Sequence, residues 1–88
     1  MKGYILITAR NERALPGLRQ ELYKSKGKFF DGTNVRLDDV QELFGQYDLI
    51  LAVTYAKEKD LRSCESDVVK AKKGVKETKT LVGCHGPE

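Results

Sequence analysis

The sequence predicts an α+β domain built from one four-stranded antiparallel sheet with two helices on a single face. Four short segments rich in β-branched and apolar residues are typical of strands, and two longer segments repeat apolar residues at helical spacing. Along the chain these segments run strand, helix, strand, strand, helix, strand. Two strand–helix–strand units with right-handed crossovers in this order produce the ferredoxin-like βαββαβ fold.

The first strand and the first helix have clear sequence signals. Residues 4–9 are apolar, aromatic or β-branched at consecutive positions, which favours a strand packed on both faces. Because Pro16 is tolerated only in the first turn of a helix, we expect the helix to begin near Ala14 and to end before Gly27. Asn11 can cap this helix, whose apolar stripe consists of Leu15, Leu18 and Leu22.

The second and third strands are predicted on either side of a glycine turn. Between residues 35 and 44 the apolar alternation breaks at Asp38-Asp39, which leaves two interpretations open: one strand with a bulge, or a loop followed by a short strand. Gly45-Gln46 can form a tight connection to residues 47–55. That segment is the strongest strand of the chain, and it is again apolar on both faces.

The second helix and the fourth strand complete the order. Acidic residues near position 58 and lysines near position 72 complement the dipole of a helix over residues 57–73, and Gly74 suits the position just after it. Residues 75–82 then form a strand, and residues 83–88 a short tail. The apolar stripe of this second helix consists of Leu61, Cys64, Val68 and Ala71, and Val69 widens it.

One face of the predicted sheet lacks a cover. Two helices protect a single face, yet the first and third strands are apolar on both, and a bare apolar sheet face is a large exposed patch on a soluble protein. We therefore expect a homodimer in which two sheets stack about 10 Å apart. The alternative is that the loop around Phe29 and Phe30 folds over the open face.

The composition is that of a single domain spanning residues 1–88. The chain has 40% hydrophobic and 33% charged residues, and its net charge of +3 is too small for a dedicated nucleic-acid binder. Its apolar runs are far shorter than the ~20 residues of a membrane span, and the apolar stretch at the N-terminus stops at Arg10, too early for a secretion signal. Two cysteines cannot form the disulfide framework of small secreted proteins. We therefore expect a cytoplasmic protein.

No set of residues in the sequence indicates catalysis. The one histidine, His85, lies beside Cys84 in the tail, without the CxxC motif or second histidine that a metal site requires. Cys64 falls on an apolar stripe, where a free cysteine acts as a small hydrophobe. We expect no catalytic residue, no metal site and no cofactor. A solvated loop without calcium-loop spacing is the expected setting of the acidic residues Asp38, Asp39 and Glu42.

Asp48 stands at an unusual place, at the start of the most apolar strand. Aspartate is depleted in strands, so its carboxylate needs a compensating partner. Two interpretations remain open: a carboxylate that stabilises the turn, or one that binds the ammonium of a small zwitterion. Thr78 and Thr80 present hydroxyls on one face of the last strand, where they are either ligand contacts or ordinary strand formers.

Two motifs of this chain resemble the effector domain of the Lrp/AsnC family, the leucine- and asparagine-responsive transcription regulators. In that family a Gly-x-Tyr-Asp-apolar run enters the third strand, and a Gly-Val-x-x-Thr-x-Thr run forms the fourth. This chain has Gly45-Gln46-Tyr47-Asp48-Leu49-Ile50 and Gly74-Val75-Lys76-Glu77-Thr78-Lys79-Thr80. Its opening run Gly3-Tyr4-Ile5-Leu6-Ile7 is also similar, and the element order agrees over nearly the whole chain.

The resemblance implies a mode of assembly and a ligand site. It implies ferredoxin-like dimers formed by opposed sheets, often assembled into larger rings, with amino-acid binding at the contacts between dimers. Carried onto this sequence, the implied ligand-binding residues are Gly45, Tyr47, Asp48, Thr78, Thr80, Leu81 and Val82.

The sequence departs from the family pattern in two places. Full-length members carry an N-terminal helix-turn-helix, whereas here the first strand is predicted from residue 4, so the chain resembles the stand-alone effector domains. The segment from residue 27 to 45 is longer than the family's usual approach to the third strand, with Phe29-Phe30 and Asp31-Gly32 added. This insertion can cover or reshape the pocket.

These observations predict a non-enzymatic, amino-acid-sensing oligomeric module that modulates the transcription regulation of amino-acid metabolism. The expected partners are further copies of the chain, a free amino acid and a full-length DNA-binding relative, without direct DNA binding or membrane contact. One alternative is a small dimeric α+β barrel enzyme acting in an apolar cavity, and another is a purely structural oligomerisation module. RNA binding is a weaker alternative, because the third strand lacks the paired aromatics of RNA-binding domains.

Overall fold

The computed structural model describes residues 1–82, and Cys84 and His85 lie outside the described residues. The strands form one antiparallel sheet in the order β2–β3–β1–β4, with both helices packed on one face, so the predicted ferredoxin-like fold is confirmed. Within this part of the chain, no helix combines the length and the apolar character needed to cross a membrane. The elements are β1 (Lys2–Ala9), α1 (Ala14–Lys24), β2 (Arg36–Glu42), β3 (Leu49–Thr54), α2 (Glu58–Cys64), a π-helical turn (Glu65–Val69) and β4 (Val75–Val82).

The hydrophobic core lies between the sheet and the two helices. In β1, Ile5 and Ile7 are fully buried, while Tyr4 and Leu6 point to the opposite side of the sheet. β3 alternates in the same way and buries Leu49, Leu51 and Val53. The helices and the π-helical turn complete this core with Leu18, Leu22, Leu61, Cys64 and Val69.

Helix α1 forms where the sequence predicts it. The Asn11 Oδ1 accepts the N–H of Ala14 at 2.9 Å, which satisfies one of the free donors of the first turn. The helix ends at Lys24, three residues before Gly27. The predicted apolar stripe is confirmed, because it faces the core through Leu15, Leu18 and Leu22.

Of the two interpretations left open for residues 35–44, the structure shows the strand with a bulge. The register of β2 against β3 shifts between Leu37 and Asp39, so that Asp38 is the extra residue. The connection to β3 spans residues 43–48 and is longer than the tight turn predicted at Gly45-Gln46.

The segment before β2 extends the sheet at its outer edge. The Leu37 N–H donates to the Lys28 carbonyl at 2.9 Å, and the Phe30 N–H donates to the Val35 carbonyl at 2.9 Å. Phe30 is buried in the core on the helix side, whereas Phe29 is exposed. The alternative that this loop covers the open face is therefore wrong, because its main-chain groups pair beside β2 and its one buried aromatic ring points toward the helices.

The second helix differs from its prediction. A regular helix over residues 57–73 places Ala71 on the buried stripe, but α2 ends at Cys64 and continues as a π-helical turn, in which the Lys70 N–H donates to the Glu65 carbonyl. The wider turn brings residues five apart onto one face, so Val69 joins Cys64 in the core while Ala71 is exposed.

The face of the sheet opposite the helices remains open in the single chain. Its centre is apolar, with Leu6 on β1 directly beside Ile50 on β3, and both are partly exposed. Tyr4 and Leu81 lie next to each other at one end of this face and are 45% and 41% exposed. We call this surface the open face; it is the patch that the sequence predicts.

Candidate functional site

Asp48 closes the end of the sheet where β1 and β3 meet. Its Oδ2 accepts the N–H of Ala9 at 2.7 Å, and its own N–H donates to the Ile7 carbonyl at 2.8 Å. The Asp48 carbonyl accepts the N–H of Leu43 at 2.9 Å, which ties the start of β3 to the end of β2. The carboxylate therefore has the structural role that one interpretation proposes, and its Oδ1 accepts no hydrogen bond from residues 1–82.

The loop before Asp48 carries the rest of the first motif. Gly45 has a φ of 113°, a conformation that favours glycine, and its neighbour Phe44 is fully exposed. Tyr47 is half-buried, and the Thr8 hydroxyl donates to the Gln46 carbonyl at 3.3 Å. The loop is therefore exposed from Phe44 to Gln46 and half-buried at Tyr47 and Asp48, where it joins the sheet.

The second motif lies on β4, and its residues point to two different faces. Thr78 and Thr80 face the helix side, because they pair with the buried Ile7 and Ile5 of β1, whereas Leu81 belongs to the open face. The Thr80 Oγ1 is buried and has no hydrogen-bond partner within residues 1–82. On the helix side, β4 and the α2 segment enclose an open cleft of about 440 Å³, lined by Arg62, Glu65, Ser66, Thr78, Lys79, Thr80 and Val82.

The structure does not bring the seven predicted ligand-binding residues together within one chain. Leu49 and Thr78 both pair with Ile7, so β1 separates the Asp48 end of β3 from the threonines of β4 by two strand spacings, or about 10 Å. Three of the predicted residues, Thr78, Thr80 and Val82, share the cleft beside α2. Three others, Gly45, Tyr47 and Asp48, share the end loop.

The cleft also contains residues that sequence reasoning missed, namely Arg62, Glu65 and Ser66. Arg62 and Ser66 lie four positions apart, and Glu65 adjoins the buried Cys64, so helical spacing places all three on the flank of the apolar stripe. That signal was present in the sequence. The sequence does not show that these three residues lie beside β4. That placement follows from the fold, in which α2 precedes the edge strand β4.

The acidic residues of β2 are held in ion pairs rather than in the solvated loop that the sequence predicts. Asp38 is paired with Arg36 at 2.8 Å and accepts a hydrogen bond from Thr54. Burial raises the pKa of the Asp38 carboxyl, but the hydrogen bonds from Thr54 and Arg36 outweigh that effect and lower it below its usual value. For Asp39, the hydrogen bond from Lys26, 3.1 Å away, lowers the pKa. Glu42 is paired with Arg19.

The remaining reactive side chains offer little chemistry. Burial raises the pKa of the Cys64 thiol to about 11, which keeps it protonated and unreactive at neutral pH. Within residues 1–82, no three histidine, cysteine or acidic side chains come close enough together to hold a metal ion.

Several solved structures share this fold, although no protein-family model and no curated protein matches the sequence. FFRP-DM1 is similar with a TM-score of 0.67 and 19% identity, and the aligned region covers 94% of this chain and 97% of the FFRP-DM1 chain. The protein TTHA0845 from Thermus thermophilus is similar with a TM-score of 0.72 and 20% identity, and the aligned region covers 96% of this chain and 92% of the TTHA0845 chain.

The resemblance of the sequence to the Lrp/AsnC effector domains is matched by a member that gives the family its name. E. coli AsnC is similar with a TM-score of 0.69 and 18% identity over 99% of this chain. The chain spans about half the length of AsnC, with 52% of AsnC covered. At these identities the likeness is one of fold, and it agrees with the resemblance of the sequence motifs to the Lrp/AsnC effector domains.

Proposed function

We propose that this protein is an amino-acid-sensing oligomeric module without catalytic activity, which modulates the transcription regulation of amino-acid metabolism. The observation that carries the proposal is the combination of an AsnC-like fold with both family motifs at their expected places, one entering β3 and one on β4. The open apolar face supports the oligomeric part of the proposal, because a second copy of the chain is the partner with a matching sheet.

The separation of the two motifs supports a ligand site shared between subunits. A free amino acid carries an ammonium and a carboxylate, and both need partners when they leave water. Asp48 has one carboxylate oxygen available for the ammonium, while the hydroxyls of Thr78 and Thr80 lie about 10 Å away across β1. A small ligand that contacts both groups therefore bridges the end loop of one subunit and the β4 strand of another.

A shared site couples ligand binding to assembly. A ligand that binds only the associated form stabilises that form by mass action. The proposed contact with DNA comes from a full-length DNA-binding relative, since the net charge of +3 is low and the elements of residues 1–82 include no helix-turn-helix. We expect a gel-shift assay at physiological salt to show no sequence-specific duplex binding by the protein alone.

The test is a calorimetric and thermal-shift screen against the twenty amino acids. We expect at least one to bind, and Asp48→Asn to weaken its affinity about tenfold or more, the equivalent of ~1.5–3 kcal/mol for a charge-assisted hydrogen bond. The asparagine still offers an oxygen to the Ala9 N–H, so the fold is retained. Glu12→Gln, at an exposed position before α1, is the matched control and leaves binding unchanged. Failure of all twenty amino acids to bind would refute the sensing function.

A further inference from the structure

The cleft between β4 and the α2 segment combines groups that suit the charged end of an amino acid. Its volume of about 440 Å³ is ample for such a ligand. Its lining residues bring a guanidinium, a carboxylate, several hydroxyls and Lys79 of the edge strand around one opening.

Arg62 supplies the positive group with free donors. One of its guanidinium nitrogens donates to Glu58 Oε1 at 2.9 Å along the exposed side of α2. A guanidinium has five N–H donors arranged as a planar fork, so this single bond leaves donors that can bind a carboxylate through two parallel hydrogen bonds.

The cleft contains a hydroxyl that forms no hydrogen bond within the described residues. Thr80 Oγ1 is buried without a partner, and leaving such a group unsatisfied destabilises the fold unless a ligand or water completes it. Rotation of Thr80 about its Cα–Cβ bond moves the hydroxyl to another staggered position and breaks no existing hydrogen bond in residues 1–82. Ser66 and Thr78 add further hydroxyls beside it.

Glu65 adds a negative charge to the cleft. Its side chain is half-buried at the first position of the π-helical turn, and it forms no ion pair with another residue of the range 1–82. A carboxylate at this place attracts an ammonium and repels a second carboxylate on the ligand.

We infer that this cleft is the carboxylate subsite of the amino-acid site, with Arg62 binding the ligand's α-carboxylate together with the hydroxyls of Ser66 and Thr78. Glu65 then excludes acidic ligands, so the ligand class is that of neutral or basic amino acids. The inference rests on the proposed function for the identity of the ligand, and it adds to the two motifs residues that neither of them contains.

The experiment follows binding by calorimetry and by amide chemical shifts in the full chain. The probes are the best-binding amino acid, its decarboxylated amine, and propionate at millimolar concentration. We expect propionate to shift amides around the cleft, the amine to shift none there, and Arg62→Met to weaken amino-acid binding at least tenfold. Arg13→Met, at an exposed position before α1, is the matched control, and thermal unfolding confirms that both variants remain folded.

A second variant tests the selectivity. Glu65→Gln is expected to raise the affinity for aspartate and glutamate at least fivefold while changing the affinity for the best neutral or basic ligand less. Preferential binding of acidic amino acids by the unmodified chain would contradict the role of Glu65.

The outcomes separate this inference from the proposed function. Amino-acid binding that is unchanged in Arg62→Met overturns the carboxylate subsite and leaves the sensing function standing. Propionate binding at the cleft that depends on Arg62, without binding of any amino acid, supports the subsite and overturns the sensing function. The absence of binding by every probe overturns both.

Discussion

A lysine at the centre of the open face tests the predicted dimer most directly. Ile50 lies on a central strand of the sheet, between Leu6 on β1 and Gln41 on β2. Its side chain is partly exposed in the single chain, so Ile50→Lys leaves the core between sheet and helices intact. In a dimer of opposed sheets, the same position is close to the middle of the interface.

The size of the expected effect follows from the geometry of the sheet. Strands of six to eight residues, at about 3.3 Å per residue and about 4.8 Å apart, give a face of roughly 400–500 Å² per subunit. At about 25 cal/mol per Å² of apolar surface, two such faces contribute at most about 20 kcal/mol, because polar side chains such as Gln41 and Lys79 share the face, and the costs of association are ~4–15 kcal/mol. The interface is therefore at the small end of stable ones, and the difference of roughly 5–16 kcal/mol corresponds to a dissociation constant of about 0.2 mM or tighter.

Burying an unpaired ammonium costs several kcal/mol, and the two-fold symmetry of the dimer brings in two of them. We therefore expect the dissociation constant of Ile50→Lys to rise at least a thousandfold, at about 1.4 kcal/mol for each factor of ten. Sedimentation equilibrium over roughly the micromolar to hundred-micromolar range measures this, and circular dichroism checks the fold. Tyr23→Lys, on exposed α1 surface, is the control that stays dimeric. A wild-type protein that sediments as a monomer at these concentrations, or an Ile50→Lys variant that remains dimeric, refutes the reasoning.

Three further predictions concern stability. Asp48→Ala removes the acceptor of the Ala9 N–H and lowers the free energy of unfolding by about 1–3 kcal/mol. Asp48→Asn keeps an acceptor and is expected to lose clearly less stability in urea unfolding; equal losses in the two variants would show that this hydrogen bond is not the cause. Ionised Asp38 stabilises the fold above the carboxyl's unfolded pKa, and this contribution is lost as the pH falls through the lowered folded pKa. Asp38→Asn loses the ion pair with Arg36 and destabilises the fold at pH 7 by up to about 1 kcal/mol, and the difference from the wild type shrinks in acid unfolding; a difference independent of pH contradicts this. The buried Tyr55 hydroxyl has no partner within residues 1–82, so Tyr55→Phe keeps or raises the melting temperature, and a clear fall would reveal an unrecognised hydrogen bond.

The sequence predicts best where a single periodicity decides the structure. Helix α1 has one apolar stripe and one stop signal, and both agree with the structure; Asn11 accepts the Ala14 N–H from two residues before the N-cap position, which Arg13 occupies. The two-sided apolar character of β1 and β3 also correctly predicts an open face, because alternate side chains of a strand must point to opposite sides.

The sequence predicts less well where two packing demands compete. The predicted stripe includes both Val69 and Ala71. The π-helical turn after Cys64 widens the spacing from four residues to five, which keeps Val69 in the core and leaves Ala71 exposed, and the pattern of a regular helix does not show this change. The segment of residues 27–35 contains two adjacent phenylalanines, and their pattern does not distinguish a cover of the open face from an extension of the edge of β2. Main-chain pairing beside β2 decides between them.

The candidate site is divided by the fold in a way that local motifs cannot reveal. Each motif is a short run of sequence, whereas the distance between them depends on the strand order, which places β1 between β3 and β4. The cleft residues Arg62 and Glu65 come from a third segment that matches no motif. A sequence without the fold therefore indicates which side chains can bind a zwitterion but not which of them can bind it together.

Strand β1 connects the proposed ligand site to the proposed dimer. Its alternate residues serve opposite faces: Leu6 belongs to the open face, while Ile7 lies under the helices and pairs with both Leu49 and Thr78. The end of the same strand is fixed by the bond from the Ala9 N–H to Asp48. The proposed ligand binds the remaining oxygen of Asp48 in one subunit and the β4 cleft of a neighbouring subunit. Both sites lie next to β1, the strand that also contributes Leu6 to the proposed dimer face. Because rigid, hydrogen-bonded strands transmit displacements across a sheet, occupancy of the site and the packing of the open faces are expected to stabilise each other.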